Sequence, residues 1–134
     1  GLGTSTAALA CGGFNPSSSP QQLDVTETWN GTNWTEVSNL NVARYSLGGA
    51  GSSNTAALAF GGQPGLGATS ALTEEWSGSS WAEQNDMSQA RVKLGVSGNS
   101  VTAAMAFGGE GPPRLSAAEE WSSPSSTTKS ISTD

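Results

Sequence analysis

The acidic pairs Glu74-Glu75 and Glu119-Glu120, with Glu27 alone at the matching place upstream, are the residues best typed for acid–base work. Two carboxylates a few ångströms apart can divide general acid and base duties in glycoside cleavage. Adjacent residues of a strand project to opposite faces, however, so these pairs suit a solvated strand edge better than a two-carboxylate site. Arg44 and Arg91 recur at one place in the pattern, and an ion pair with a repeat carboxylate such as Glu36 or Glu83 is the expected role, with ligand binding as the alternative. Histidine is absent, which removes the Ser-His-Asp class and ordinary zinc sites. The glycines of GLG (65–67) and GEG (109–111) are followed by no Lys-Ser/Thr and open no helix, so they make no phosphate loop. No catalytic, cofactor-binding or metal-ligating residue is assigned on these grounds.

Three further residue types invite chemistry. Trp29, Trp34, Trp76 and Trp81 could stack on the C–H faces of sugar rings, but they recur in register and are expected to be core. Asn30 and Asn33 open two overlapping N-glycosylation sequons, Asn-Gly-Thr and Asn-Trp-Thr. The one cysteine, Cys11, stands where later units have Phe60 and Phe107, so a small buried apolar role is expected.

These residues are carried by a repeat. Trp29 to Trp76 is 47 residues and Trp76 to Trp121 is 45, while Trp34 to Trp81 and Arg44 to Arg91 are again 47. A second phrase keeps step with the first: TAALACGG (6–13), TAALAFGG (55–62) and TAAMAFGG (102–109). Its doublets Gly12-Gly13, Gly61-Gly62 and Gly108-Gly109 end an Ala-rich strand with backbone angles that other residues resist. Alanine is a poor strand former, and its use here implies that neighbouring sheets stack closely. TETWNGTNWTE and TEEWSGSSWAE each read as a hairpin that brings its two tryptophans together, Asn30-Gly31 being a strong turn signal. A fourth strand, within ARYSLGGAG or ARVKLGVSG, leads into the next Ala-rich phrase. The segments Phe14–Leu23 and Gln63–Leu72 vary in length and are rich in turn formers, so they read as loops.

Four short antiparallel strands in about 47 residues is the period of a propeller blade. An apolar strand, Gly-Gly and two spaced aromatics resemble the kelch repeat, with LAFGG, Trp76 and Trp81 in those roles. The chain departs from that pattern in having Trp as the first aromatic and a slightly tighter spacing. The wording AFGG, TEEW and AR, with a TTK-type tail like TTKSISTD (127–134), is similar to repeats in phage-encoded and bacterial surface proteins. Among proteins with kelch-like repeats, the galactose oxidase relatives carry a copper centre. The missing histidines and a single tyrosine, Tyr45, speak against such a centre here.

The expected fold is therefore all-β, with roughly three four-stranded blades. Unit 1 spans 1–43 and lacks its first strand, unit 2 spans 44–90, and unit 3 spans 91–134, with a closing strand drawn from Thr127–Thr133. Closed propellers use about 4–8 blades, so three should not close alone. The chain would be part of a longer propeller, a subunit of an assembly of copies, or an open stack. The start GLGT, without Met, fits a processed or truncated piece.

With 5 basic against 11 acidic residues and a net charge of −6, the chain lacks the basic patch that nucleic acid requires. No apolar run approaches the roughly 20 residues of a membrane-spanning helix. The functional expectation is a non-enzymatic structural or adhesive protein of a phage particle, extracellular fibre or surface layer. It would need no cofactor, and its partner would be itself or the rest of a longer propeller. A glycan-binding propeller module using the variable loops is the alternative.

Overall fold

The computed structural model describes residues 1–112, 114–122 and 129–131. Among the described residues, twelve strands form three antiparallel sheets of four, each a simple meander. Blade 1 contains β1 (Leu2–Gly3), β2 (Ala8–Phe14), β3 (Gln22–Trp29) and β4 (Trp34–Val37). Blade 2 contains β5 (Gly48–Ser53), β6 (Ala56–Phe60), β7 (Thr73–Trp76) and β8 (Trp81–Gln84). Blade 3 contains β9 (Gly95–Ser100), β10 (Ala103–Phe107), β11 (Ala118–Ser122) and β12 (Lys129–Ile131). The fold is thus all-β, in three blade-like sheets of which none closes on itself.

One expectation needs correcting. Unit 1 does have a first strand, cut to two residues, with Leu2 opposite Leu9 and Gly3 opposite Ala8. It takes the place that Ala50 and Gly51 hold in blade 2, where Ala50 lies opposite Leu58. In blade 3, Lys129–Ile131 takes the closing position beside β11, and the remainder of the Thr127–Thr133 segment lies outside the described residues.

The Ala-rich strand explains how the blades stack. Alternation gives β6 two unlike faces: Ala57 and Ala59 join one core with Leu9, Leu40, Trp76 and Trp81, while Leu58 and Phe60 join the other with Ala104, Ala106 and Trp121. Each blade therefore offers large side chains to the blade that follows and small ones to the blade that precedes. Small faces let the sheets approach, and the tryptophans of the same blade fill the space beyond. Burial of one such large side chain stabilises by about 1.5–3 kcal/mol.

The glycine doublets serve this approach. Gly12 and Gly61 have φ of +66° and +60°, and a Cβ on either would fall 2.5 Å from the carbonyl oxygen of Arg44 or Arg91. The second glycine of each doublet donates its N–H to that same oxygen, Gly13 to Arg44 at 3.0 Å and Gly62 to Arg91 at 2.9 Å. The segment linking two blades is thereby pinned to the end of the Ala-rich strand of the earlier one.

Candidate functional site

The repeated polar residues converge at the blade-to-blade contacts. Each link between blades first ties itself to the earlier sheet: Leu40 N–H donates to the Asp24 carbonyl at 2.9 Å and Arg44 N–H to that of Leu23 at 3.0 Å. Met87 and Arg91 repeat this with the carbonyls of Ala71 and Ser70. The arginine side chain then reaches into the later sheet. Arg44 donates to the Leu72 carbonyl at 3.0 Å and to Glu74 Oε1 at 3.1 Å. The other carboxylate oxygen of Glu74 accepts from the backbone and side-chain N–H groups of Asn41, at 2.8 and 2.9 Å.

The second link is built alike. Arg91 donates to the carbonyls of Gly108 and Ala117 and pairs with Glu119, whose remaining oxygen accepts from Ser88 N–H at 2.6 Å. Arg44, Glu74, Arg91 and Glu119 are all buried. Burial pushes the Arg44 guanidinium below its ordinary pKa, and the facing Glu74 carboxylate counters that by favouring the charged form. Every carboxylate oxygen in these clamps is taken by a fixed donor, which suits holding two sheets in register rather than moving protons.

The expected ion pair of each arginine with a repeat carboxylate is present, but its partners are Glu74 and Glu119, and the solvated edge expected for the acidic pairs is overturned. Glu74 and Glu119, the first members of the acidic pairs, are buried rather than on a solvated edge, while Glu75 is half-buried and Glu120 exposed. The arginines also pass over Glu36 and Glu83. Glu83 lies directly opposite Glu74, but on β8, the outermost strand of its sheet, and it is exposed. Arg44 sits over the inner strands, held by carbonyls beside β6 and β7, so it meets the carboxylate one strand further in.

The tryptophans are placed as paired hairpin residues. Trp29 lies opposite Trp34 and Trp76 opposite Trp81, with ring centroids 5.5 Å apart in both pairs. The first indole of each blade donates to a backbone carbonyl of its own β-turn: Trp29 to Ser5, Trp76 to Asn54 and Trp121 to Val101, at 2.9–3.1 Å. The second indole of blade 2 crosses instead to the neighbouring sheet, where Trp81 Nε1 donates to Thr26 Oγ1 at 2.9 Å. This threonine partner was not singled out from sequence, although Thr26 and Thr73 recur at one position. Thr73 Oγ1 is buried with no partner among the described residues.

Trp34 departs from the core role expected of it, being 48% exposed where its equivalent Trp81 is 6%. No described blade lies outside blade 1 to cover it. Asn30 and Asn33 are exposed in the turn of that hairpin, and Asn30 Oδ1 accepts the N–H groups of Thr32 and Asn33 at 2.9 Å. Cys11 is half-buried against the core between blades 1 and 2, and burial pushes its thiol up to about 11. On the loop side, an open groove of about 350 Å³ lies between Gln63, Thr69, Val92, Glu110 and Pro112. Beside it an exposed Lys93–Glu110 pair at 3.0 Å holds the Glu110 carboxyl below its usual range.

No group of three or more potential metal ligands occurs among the described residues, and no helix there is long and apolar enough to cross a membrane. Compared with known proteins, the chain matches no family model and is not significantly similar to any curated protein.

Proposed function

We propose that this is a structural repeat protein rather than an enzyme, built of kelch-like propeller blades. It would serve in a fibre, tail or surface layer, on a phage particle or outside a cell, and associate with copies of itself. The observation that carries the reading is the state of the two ends of the stack. Met105 and Phe107 on blade 3 are 38% and 44% exposed, and Trp34 on blade 1 is 48% exposed, whereas their blade 2 equivalents Leu58, Phe60 and Trp81 are buried against a neighbouring blade. Apolar surface grouped in this way marks an interaction face. The repeated Arg and Glu residues, meanwhile, are consumed in holding blades together. The phage-like and surface-protein wording of the repeats supports the location.

Light scattering on the native protein, paired with intact-chain mass spectrometry, tests this. Particles several times the 13.5 kDa chain mass are expected. A strictly monomeric protein at high concentration would contradict self-association.

The exposed Trp34 ring, tilted at 41° against Trp29, also favours a second reading as a glycan-binding module, with the sugar on that ring at the end of β3 opposite the variable loops. Saturable binding on a glycan array, lost on Trp34→Ala but kept on exchanging the Phe14–Leu23 and Gln63–Leu72 loops, is what that reading expects. A blank array with assembled protein counts against it.

A further inference from the structure

The three Ala-rich strands show which face meets which. Between blades 1 and 2, Leu9 and Cys11 lie over Ala57 and Ala59; between blades 2 and 3, Leu58 and Phe60 lie over Ala104 and Ala106. Large over small is thus the rule between blades 2 and 3, and Leu9 keeps it between blades 1 and 2, where the smaller Cys11 stands in place of a phenylalanine. Met105 and Phe107 are the next large pair in this series, and Ala8 and Ala10 the preceding small pair. Neither pair has a described blade against it. Ala8 and Ala10 are half-buried where Ala57 and Ala59 are 0% exposed, and Phe107 is 44% exposed where Phe60 is 1%. One chain therefore carries both halves of a third contact of the same kind, at opposite ends.

We infer that a second copy of this chain is the occupant of each end, docked head to tail, with Met105 and Phe107 of one copy seated on Ala8 and Ala10 of the next. Trp29 and Trp34 then flank the incoming blade, as Trp76 and Trp81 flank blade 1 inside the chain. The contact continues the internal one, so its geometry is already specified twice within each subunit. Because the two surfaces differ, the contact is heterologous and propagates into a ring or a filament instead of stopping at a dimer.

This interface is weaker than the internal ones. Blade 3 has Ala118 where blade 1 has Thr26, so the Trp34 indole finds no hydroxyl there to match the Trp81–Thr26 bond. Glu27, the equivalent of Glu74 and Glu119, is exposed and receives no arginine from the described part of blade 3. Association is accordingly reversible and lost on dilution.

The inference rests on the self-association proposed above, and a mixing experiment separates the two. One variant carries Met105→Asp and Phe107→Asp, and the other Ala8→Glu and Ala10→Glu. The introduced charges have the same sign, so the altered faces cannot attract each other. Each variant alone is expected at the 13.5 kDa monomer mass in light scattering, and an equimolar mixture at twice that mass, through the one pair of intact faces. If wild type assembles but both variants still assemble as it does, or the mixture stays monomeric, the head-to-tail contact is wrong while self-association stands. If wild type never assembles, both fail. Far-ultraviolet circular dichroism of the strands reports folding, and Trp34→Glu, on an exposed ring, replaces the alanine variant if that one does not fold.

Discussion

Glu74 and Glu27 hold the same place in successive units, one in TEEW and the other in TETW, yet the first is 1% exposed and gripped by Arg44 while the second lies in water. Trp81 and Trp34 repeat the contrast at the hairpin. Local sequence does not explain it, since the flanking residues are nearly the same. What differs is the arrival of an arginine-bearing link and a neighbouring sheet. The repeat thus writes the same socket into every blade, and a socket becomes a clamp only when another blade fills it. A buried carboxylate needs its partner, because desolvation costs several kcal/mol that the guanidinium and the amide donors offset.

The contrast is broken most forcefully at the carboxylates. Glu74→Leu or Glu119→Leu strands a buried arginine and should cost about 3–5 kcal/mol in urea unfolding, while Glu27→Leu should stay within about 0.5 kcal/mol. Equal losses at all three would mean that Glu27 is clamped as well.

A smaller effect sharpens the same comparison at the threonines. Thr26→Val leaves the Trp81 N–H buried without an acceptor and should cost about 1–2 kcal/mol. Thr73→Val removes a hydroxyl that has no described partner and should be neutral or slightly stabilising in the same assay. A pH-dependent effect remains at Cys11, whose folded pKa of about 11 lies above the ordinary 9.0. An acid whose pKa is raised by folding contributes stability below its unfolded value and loses it as pH climbs, here between about 9 and 11. A decline of about 1 kcal/mol across that window is expected, allowing for water's access to the half-buried sulfur, and Cys11→Ala should flatten that part of the profile.

Much of the fold was legible because the repeat is in register with the strands. The alternation of TAALAF and the Trp-turn-Trp hairpin follow from local rules and place four strands in a unit; the Gly-Gly stop holds after Phe60 and Phe107, but β2 runs on through a bulge at Gly12-Gly13 to Phe14. The strand Leu2–Gly3 escaped notice because two residues carry no periodicity. The choice of Glu74 over Glu83 was also hidden, since both lie on one side of the β7–β8 pair and only the position of the link decides between them. Thr26 was missed for a related reason: its partner is 55 positions away in the next sheet, and a threonine in a strand attracts no attention by itself. The open end at Trp34 could not be told from the closed one at Trp81, because exposure there depends on a neighbour and not on the phrase.

The central claim, that blade 1 carries an open copy of a socket closed elsewhere in the chain, is tested most directly by hydroxyl-radical footprinting of Trp34 and Trp81 across a range of protein concentrations. In dilute solution Trp34 should be oxidised several times faster than Trp81, and on concentration its rate should fall toward that of Trp81, which stays constant. A Trp34 rate that matches Trp81 in dilute solution, or one that does not change with concentration, would contradict the account.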